Sequence, residues 1–321
     1  MFCNILRTYN RVGLAGSIRI SNNILMWYFL KYFLKKRYVN KKILDFKLTL
    51  DTNDIGLSKE LYIWNDREQQ LRFILKELLA DGMTVLDVGG NIGYYPIMEA
   101  TLIGASGRVH VLEPYPPNYT LLLRNIALNA FEGKIIAHPL AASHKEGIAQ
   151  FHISEASNLC TMHPTNRDGS KIDDLTGKVI EVSTIDLSKF IQKNNLGNII
   201  DIIRMDTEGA EVNILSGLVS AIQEKLFTGI IIFEVHTNKY HQKNDINSVM
   251  RELFQLGYYP SFVTADDESK TTLNKEGYTP KRTIQVSNKK SRGIYTNIDK
   301  ETVIRHLADT GDIRDVVLEF R

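Results

Sequence analysis

The sequence predicts an α/β fold, a doubly wound and mostly parallel sheet with helices on both faces. Three observations predict it. Five short apolar runs, rich in β-branched residues, alternate with helical patterns: "TVLDV" (84–88), "RVHVLEP" (108–114), "KIIAHPLAA" (134–142), "NIIDIIRMD" (198–206) and "GIIIFEVH" (229–236). The first run contains Asp87 and is followed at once by Gly89, Gly90 and Gly93, the punctuation of a strand–turn–helix unit. Acids stand at the ends of the second, fourth and fifth runs, where open α/β sheets bind their ligands.

Taken in order, residues 1–42 read as an N-terminal extension. Its segment "ILMWYFLKYFLKKR" (24–37) is uninterruptedly apolar only from Ile24 to Leu30, too short to span a bilayer. It also lacks the small-residue cleavage site of a signal peptide. It reads first as a helix packed on the domain. The second reading is an interfacial anchor, with Trp27, Tyr28 and Phe33 among headgroups and Lys35, Lys36 and Arg37 toward anionic lipid.

"ILDFKLTLD" (43–51) alternates cleanly, with Leu44, Phe46, Leu48 and Leu50 on one face, and predicts a half-buried strand. In 65–82, Asn65 and Glu68 have capping-box spacing. Leu71, Ile74, Leu75, Leu78 and Leu79 form a helical stripe there, and Gly82 is a stop. Pro96 suits the first turn of the helix after the glycines, and Asn118 is placed to cap a helix running to Asn129.

The polar stretch 155–178 reads as a long loop and the natural acceptor lid. A helix is expected at 245–256, stopped by Gly257, and then strand-like pieces "YYPSFV", "RTIQV" and "GIYT". Lys289 to Arg292 reads as a solvated basic turn. The expected division is a core at 43–265 and a segment at 266–321 that completes the sheet and caps it.

Composition limits the function classes. The 321 residues carry 39 Lys and Arg against 37 Asp and Glu, a net charge of +2. No overall basic field draws the chain to nucleic acid. Cys3 and Cys160 match no zinc or redox spacing. They fit a reducing, cytoplasmic setting, peripheral to a membrane if the anchor reading holds.

The glycine turn raises the question of its ligand. A dinucleotide site needs G-x-G-x-x-G. Counted from Gly89 the third motif position is Asn91, and from Gly90 it is Ile92. No Gly-Lys-Ser/Thr is present for a triphosphate loop. The pattern is D-x-G-x-x-x-G, from Asp87, Gly89 and Gly93. An acid inside the motif repels a diphosphate and suits a ligand with an ammonium group and no phosphate, such as S-adenosylmethionine. Glu113, at the end of the second run, can accept both ribose hydroxyls. The expected cofactor residues are Asp87, Gly89, Asn91, Gly93, Glu113, Tyr115 over the adenine face, and Ala142 as a small residue beside the ring.

These residues, with "GMTVLDVGGNIGYY", "VLEPYPPNYTLLLRNIALN", "STIDL", "IIRMDTEGAEVNILSG" and "IIFEVH", resemble the FkbM-type S-adenosylmethionine-dependent methyltransferases over about 65–260. The resemblance implies a seven-stranded, Rossmann-like sheet of the class I methyltransferase type. It also implies O-methylation of natural products or glycans. The chain departs from the family at Arg204, where lysine is usual, and arginine does not deprotonate. It departs again at Gly90, where alanine is usual.

Methyl transfer from a sulfonium requires an aligned acceptor and a proton acceptor. Asp206 and Glu208 are two apart after the fourth run, and Glu234 and His236 two apart at the end of the fifth. If each pair is extended, each faces one cleft. His236, or Glu234 with it, is the expected base. Asp206 and Glu208 are expected to hold the acceptor or the donor's ammonium. For Glu208 and Glu211 the plainer alternative is charge compensation at a helix N-terminus. A metal is not expected, because no ligand spacing specifies one; the alternative kept open is magnesium or manganese held by one histidine and several carboxylates.

The expected function is O-methylation of a hydroxyl on a sugar, glycolipid or secondary metabolite. Alternatives are a nitrogen or carboxylate acceptor, and a non-catalytic protein that binds membrane surfaces.

Overall fold

In the computed structural model the five apolar runs lie side by side in one sheet. The structure describes residues 2–170, 172, 174–242, 244–267, 272–287, 290–307 and 311–321. Side chains are described from residue 15 onward, apart from those of 267, 272, 287 and 290.

The chain begins with α1 (Phe2–Tyr28) and a π-helical turn, Phe29–Phe33. A hairpin follows, β1 (Tyr38–Ile43) against β2 (Phe46–Asp51), and stands apart as its own two-stranded sheet. This corrects the single strand expected at 43–51. Leu44, in the left-handed region at φ 53°, makes a turn with Asp45, so that Ile43 pairs with Phe46. Phe46, Leu48 and Leu50 are buried on one face as the alternation predicts.

Next come α2 (Leu57–Trp64) and α3 (Gln69–Leu78). The expected capping box is absent. Asn65, at φ 62°, closes α2, and Glu68, at φ 45°, precedes α3 with its side chain turned to arginines. Leu71, Ile74 and Leu75 are buried along α3.

The Rossmann-like core is then laid down: β3 (Thr84–Val88), α4 (Tyr94–Leu102), β4 (Arg108–Leu112), α5 (Pro116–Leu128) and β5 (Ile135–His138). Asn118 lies inside the first turn of α5, which begins at Pro116, instead of capping it. The third apolar run breaks at Pro139. Its end forms β6 (Ala141–Ser143), which joins β7 (Gly147–Ser154) and β8 (Leu175–Asp186) in a three-stranded sheet of order β6-β8-β7. The polar excursion expected at 155–178 is the connection between β7 and β8 as far as 174, and its last four residues already belong to β8. At its start Ser157 donates from backbone N–H and Oγ to Asp54, each at 3.0 Å, which ties the loop to the hairpin's exit.

After α6 (Leu187–Lys193) come β9 (Ile202–Met205), α7 (Glu211–Gln223), β10 (Ile230–Glu234) and α8 (Ile246–Gln255). The C-terminal part adds β11 (Tyr258–Asp267), α9 (Thr272–Lys275), β12 (Arg282–Ser287), β13 (Lys290–Tyr295), α10 (Lys300–Arg305) and β14 (Ile313–Phe320).

The main sheet has the order β12-β13-β11-β14-β10-β9-β3-β4-β5. The half from β10 to β5 is parallel, and the pairings beyond β10 are antiparallel. The sheet has nine strands where seven were expected, because the β12–β13 hairpin extends its edge. The expected boundaries at 42/43 and 265/266 fall inside β1 and β11. Lys289 of the predicted basic turn lies outside the described residues; Arg292 sits in β13, paired with Asp266 at 3.0 Å.

Both faces of the sheet are covered, as continuous apolar strands require. Leu86 and Val88 of β3 pack with α6, α7 and α8 on one side. Val85 packs with α3, α4 and α5 on the other. The N-terminal hairpin is tied to this second side through Asn125 of α5. Asn125 Oδ1 accepts from Thr49 N–H at 2.6 Å, and Nδ2 donates to Thr49 O at 3.3 Å and Ile92 O at 2.7 Å. All three bonds are buried. Asn125→Ala is therefore expected to cost about 3 kcal/mol in a urea melt, from lost bonds and stranded backbone groups. A change under about 0.5 kcal/mol, the ordinary size for a surface substitution, would refute this role.

Candidate functional site

The carboxyl ends of β3, β4 and β9 open onto a cavity of about 540 Å³. Its walls include Gly89, Asn91, Glu113, Ala142, Asp206 and Glu208. The lid loop closes it with Ser157, Asn158, Cys160 and Met162, and Phe151 of β7 adds an aromatic face. Three carboxylates line it and no lysine or arginine does, among the described residues. Such a wall suits a cationic ligand without phosphate.

The turn that shapes this cavity needs glycine. Gly89 has φ +89°, and a Cβ there would stand 2.2 Å from the Asp206 carbonyl oxygen, where the exit of β9 crosses the turn. Asn91 takes the left-handed conformation at φ 49°. Its N–H donates to Glu113 Oε2 at 2.8 Å, while Tyr115 N–H donates to Glu113 Oε1 at 2.8 Å. Each carboxylate oxygen thus has one backbone partner and keeps further acceptor capacity. Burial pushes the Glu113 carboxyl up to about 7, against the pull of those two N–H groups.

Three expected cofactor residues do not line this cavity. Asp87 lies beneath the glycine turn, fully buried, with Oδ2 2.8 Å from Arg204 Nη1. The parallel register pairs the two residues directly and places their side chains on one face. Arg204 also reaches Asp206 at 3.5 Å, and its guanidinium lies 3.7 Å from the Tyr95 ring centroid. Burial raises the Asp87 carboxyl despite Arg204. It raises Glu99, next to Asp87, well above the ordinary range. Gly93 caps the start of α4 at φ +96° and faces Leu122. Tyr115 packs against Phe151, ring centroids 6.4 Å apart, and Pro114 takes the wall position instead.

The four expected catalytic groups do converge, although not by the extended geometry anticipated. Glu208 is left-handed at φ 51°, and β9 has already ended at Met205. His236 bridges the cluster: Nδ1 lies 3.1 Å from Glu211 Oε1, and Nε2 lies 3.4 Å from Glu208 and 3.9 Å from Glu234. Burial lowers the His236 pKa, but Glu211 and Glu208 outweigh it and hold the imidazole well above its ordinary range. Both ring nitrogens face carboxylates, which favours the charged imidazolium and tells against the histidine base expected from sequence.

Glu211, read from sequence as helix-end charge, is more than that. It accepts from Thr207 Oγ1 at 2.9 Å and Gly209 N–H at 3.2 Å while binding His236. Burial would raise it, yet His236 and these donors pull it down to about 2. Burial, with Asp206 and Glu68 nearby, raises Glu234, whose Oε1 lies 2.6 Å from Arg314. One ligand atom each of Asp206, Glu234 and His236 lies within 4.8 Å of the others. All three side chains are already engaged, Asp206 by Arg204, Glu234 by Arg314 and His236 by glutamates, so the group is a charge-paired network.

Asp206 stands at a boundary. It lines the acid-walled cavity and also a smaller one with Arg67, Tyr95 and Arg204. That one adjoins a wider cleft of about 930 Å³, walled by Arg67, Gln70, Gln285, Arg292 and Arg314 among others. Asn158 borders all three spaces. Glu68 organises the cleft, 3.0 Å from Arg67 and 3.1 Å from Arg314, and accepts from Tyr95 OH. Sequence reading missed Arg67, Asn158 and Arg314. They sit in a loop, a lid and a late strand, with no local pattern to mark them.

The buried pair generates a prediction. Asp87→Ala strands Arg204 in the core and is expected to cost about 3–5 kcal/mol in a denaturant melt. A melt like that of the wild type would mean that Arg204 is neutralised by Asp206 alone.

The sequence profile of the methyltransferase FkbM domain matches residues 87–260. The hexuronic acid methyltransferase AglP of Haloferax volcanii is 27% identical over 179 residues. That match covers 54% of this chain and 66% of AglP, just short of two thirds of its length. Among solved structures, M. jannaschii TYW2 in complex with AdoMet aligns with a TM-score of 0.41 and 15% identity, covering 89% of this chain and 87% of that one. An FkbM methyltransferase from Methylobacillus flagellatus aligns at 0.35 and 16% identity, covering 77% and 55%.

Proposed function

We propose a sugar hydroxyl as the methyl acceptor of this chain, which belongs to the FkbM methyltransferase family and is an S-adenosylmethionine-dependent methyltransferase. One observation carries the reading: Asp206 is the carboxylate shared by the acid-walled cavity and the spaces that lead to the wide cleft. In this reading the first takes the donor and the second the acceptor.

The residues present fit the donor. Glu113 offers two oxygens to the ribose hydroxyls, and Asn91 holds one of them in place. Ala141, Ala142 and Phe151 wall an apolar part suited to adenine. Glu208 supplies negative charge for the ammonium and sulfonium. S-adenosylmethionine, when bound, supplies an activated methyl group on a cationic sulfur. The protein's remaining tasks are to aim a hydroxyl and remove its proton.

Asp206 takes that proton in this proposal. Arg204, at 3.5 Å, orients its carboxylate from below. His236 acts as a positioning cation: it holds Glu208 and Glu211, and Glu211 in turn gathers the N–H groups of the 207–209 loop. The wide cleft presents planar amide and guanidinium groups from Gln70, Gln285 and Arg314. Such side chains match a polyhydroxylated acceptor by forked hydrogen bonds. The name of the similar protein AglP, a hexuronic acid methyltransferase, agrees with a sugar.

Two measurements test the reading. Calorimetry of Glu113→Gln is expected to show at least tenfold weaker S-adenosylmethionine binding. In the wild type, affinity is expected to fall as pH drops through about 7, because protonation removes an acceptor. That pH dependence should vanish in the variant. Between pH 4.5 and 7 the donor-free folded protein holds a proton on Glu113 that the unfolded chain releases, so this residue's contribution to stability falls as pH rises. Second, Asp206→Asn is expected to lower kcat on a glycan acceptor about 10²–10⁴-fold while donor affinity is retained. Full turnover in that variant would remove Asp206 as the base.

A further inference from the structure

We propose that the outer face of α1, with the turn that follows it, docks on an anionic phospholipid bilayer. Ser17, Ile20 and Trp27 are the buried side of this helix and fix its rotation on the domain. Ile18, Leu25, Phe29, Tyr32 and Phe33, spaced i, i+7, i+11, i+14 and i+15, share the opposite side. That side faces outward and, apart from the exposed Asn22, is apolar. Phe33 is 74% exposed and Leu25 69%. Among the described residues sixteen large apolar side chains are exposed, and nine of them lie between Ile18 and Tyr38. Concentration of this kind marks an interaction surface, whereas single exposed apolar residues are ordinary. The aromatic rings are ordered in pairs, Tyr28 on Tyr32 at 5.9 Å and Phe29 on Phe33 at 4.9 Å.

Charge decides the partner. Residues 1–44 contain nine Lys and Arg and no Asp or Glu. The segment is thus +9 and the rest of the chain −7, which together make the net +2. Lys31, Lys35, Lys36 and Arg37 follow or interleave the aromatic face, and Lys59 reaches into it, 3.2 Å from Tyr28 OH. An apolar aromatic stripe with basic residues around it matches the boundary between acyl chains and anionic headgroups. A second copy of the chain would set this positive segment against itself. Among the described residues no helix is long and apolar enough to cross a membrane, so the helix would lie on the bilayer.

The placement also bears on catalysis, in a step that rests on the glycan reading. α1 packs against α2 and β12. Glu60 of α2 and Ile284, Gln285 and Val286 of β12 belong to the wall of the wide cleft. Docking through α1 therefore brings the cleft beside the lipid surface, where an acceptor sugar carried by a lipid can enter it.

The test is co-sedimentation of the full chain with vesicles of phosphatidylcholine alone and of equal parts phosphatidylcholine and phosphatidylglycerol. The wild type is expected to bind the anionic vesicles and not the zwitterionic ones. Phe29→Glu with Phe33→Glu, and separately Lys35→Glu with Lys36→Glu, should each weaken binding more than tenfold. Binding of the charge-reversed variant should also lose its salt dependence. No binding by the wild type, or variants that bind equally well, would overturn the proposal. So would a dimer in sedimentation velocity that the phenylalanine variant dissociates, which would make a second copy the occupant. S-adenosylmethionine calorimetry on both variants is expected to match the wild type, and a variant that fails it is set aside as misfolded, leaving the other to decide. Vesicle binding by a wild type that cannot bind S-adenosylmethionine would support the docking face and refute the donor reading.

Discussion

Arg204 beneath the glycine turn is the interaction on which the rest of the site depends. The parallel pairing of β9 with β3 sets Arg204 directly opposite Asp87. The guanidinium then spans from Asp87 at 2.8 Å to Asp206 at 3.5 Å, with the Tyr95 ring 3.7 Å away. Burying this charge is costly, and among the described residues Arg204 Nε finds no hydrogen-bond partner while Asp87 has the buried Glu99 carboxyl beside it. A buried pair with loose ends contributes little net stability, but removing either partner is severe. Its value is positional: it locks the exits of two neighbouring strands, and those exits carry Gly89 and Asp206. The close approach of Gly89 to the Asp206 carbonyl follows from the same crossing.

Charge is sorted over the molecule by the same logic. The wall of the first cavity carries three carboxylates and, among the described residues, no lysine or arginine, while Arg204 lies under the turn and reaches Asp206. The wide cleft has arginines, each already held by an acid such as Glu68 or Glu234. The network from Glu68 through Arg314 and Glu234 to His236 and Glu211 is continuous. It joins the start of α3 to the start of α7 and to β14, so the walls of the cleft and the floor of the cavity form one electrostatic unit. The positive excess lies elsewhere, on the N-terminal helix and hairpin.

Much of the fold was legible because the buried parallel strands are continuous apolar runs, which local composition reveals. β3, β4, β9 and β10 lie where their runs predict. Errors came where local pattern served two structures. The alternation of 43–51 survives a turn at Leu44, because a two-residue hairpin leaves the residue parity of β2 intact. Asn65 and Glu68 have capping spacing, but Glu68 gains more from Arg67 and Arg314 than from a helix end. β14 was unseen, although "VVL" at its centre is a short apolar run, because its partners β10 and β11 are far away in sequence.

By itself the sequence determined the doubly wound sheet, the glycine turn, the acid after the second strand and the family, since each depends on neighbours within a few residues. Only the tertiary structure decided what each acid does. Asp87 stands within β3 and Glu113 just past the end of β4, yet one faces a buried guanidinium and the other an open cavity. The His236 imidazole is held toward its charged form because Glu211 and Glu208, from another element, flank it. The reason is physical: strand and turn propensity are local, whereas the state and direction of an ionisable group are set by desolvation and by charges that the fold brings from elsewhere.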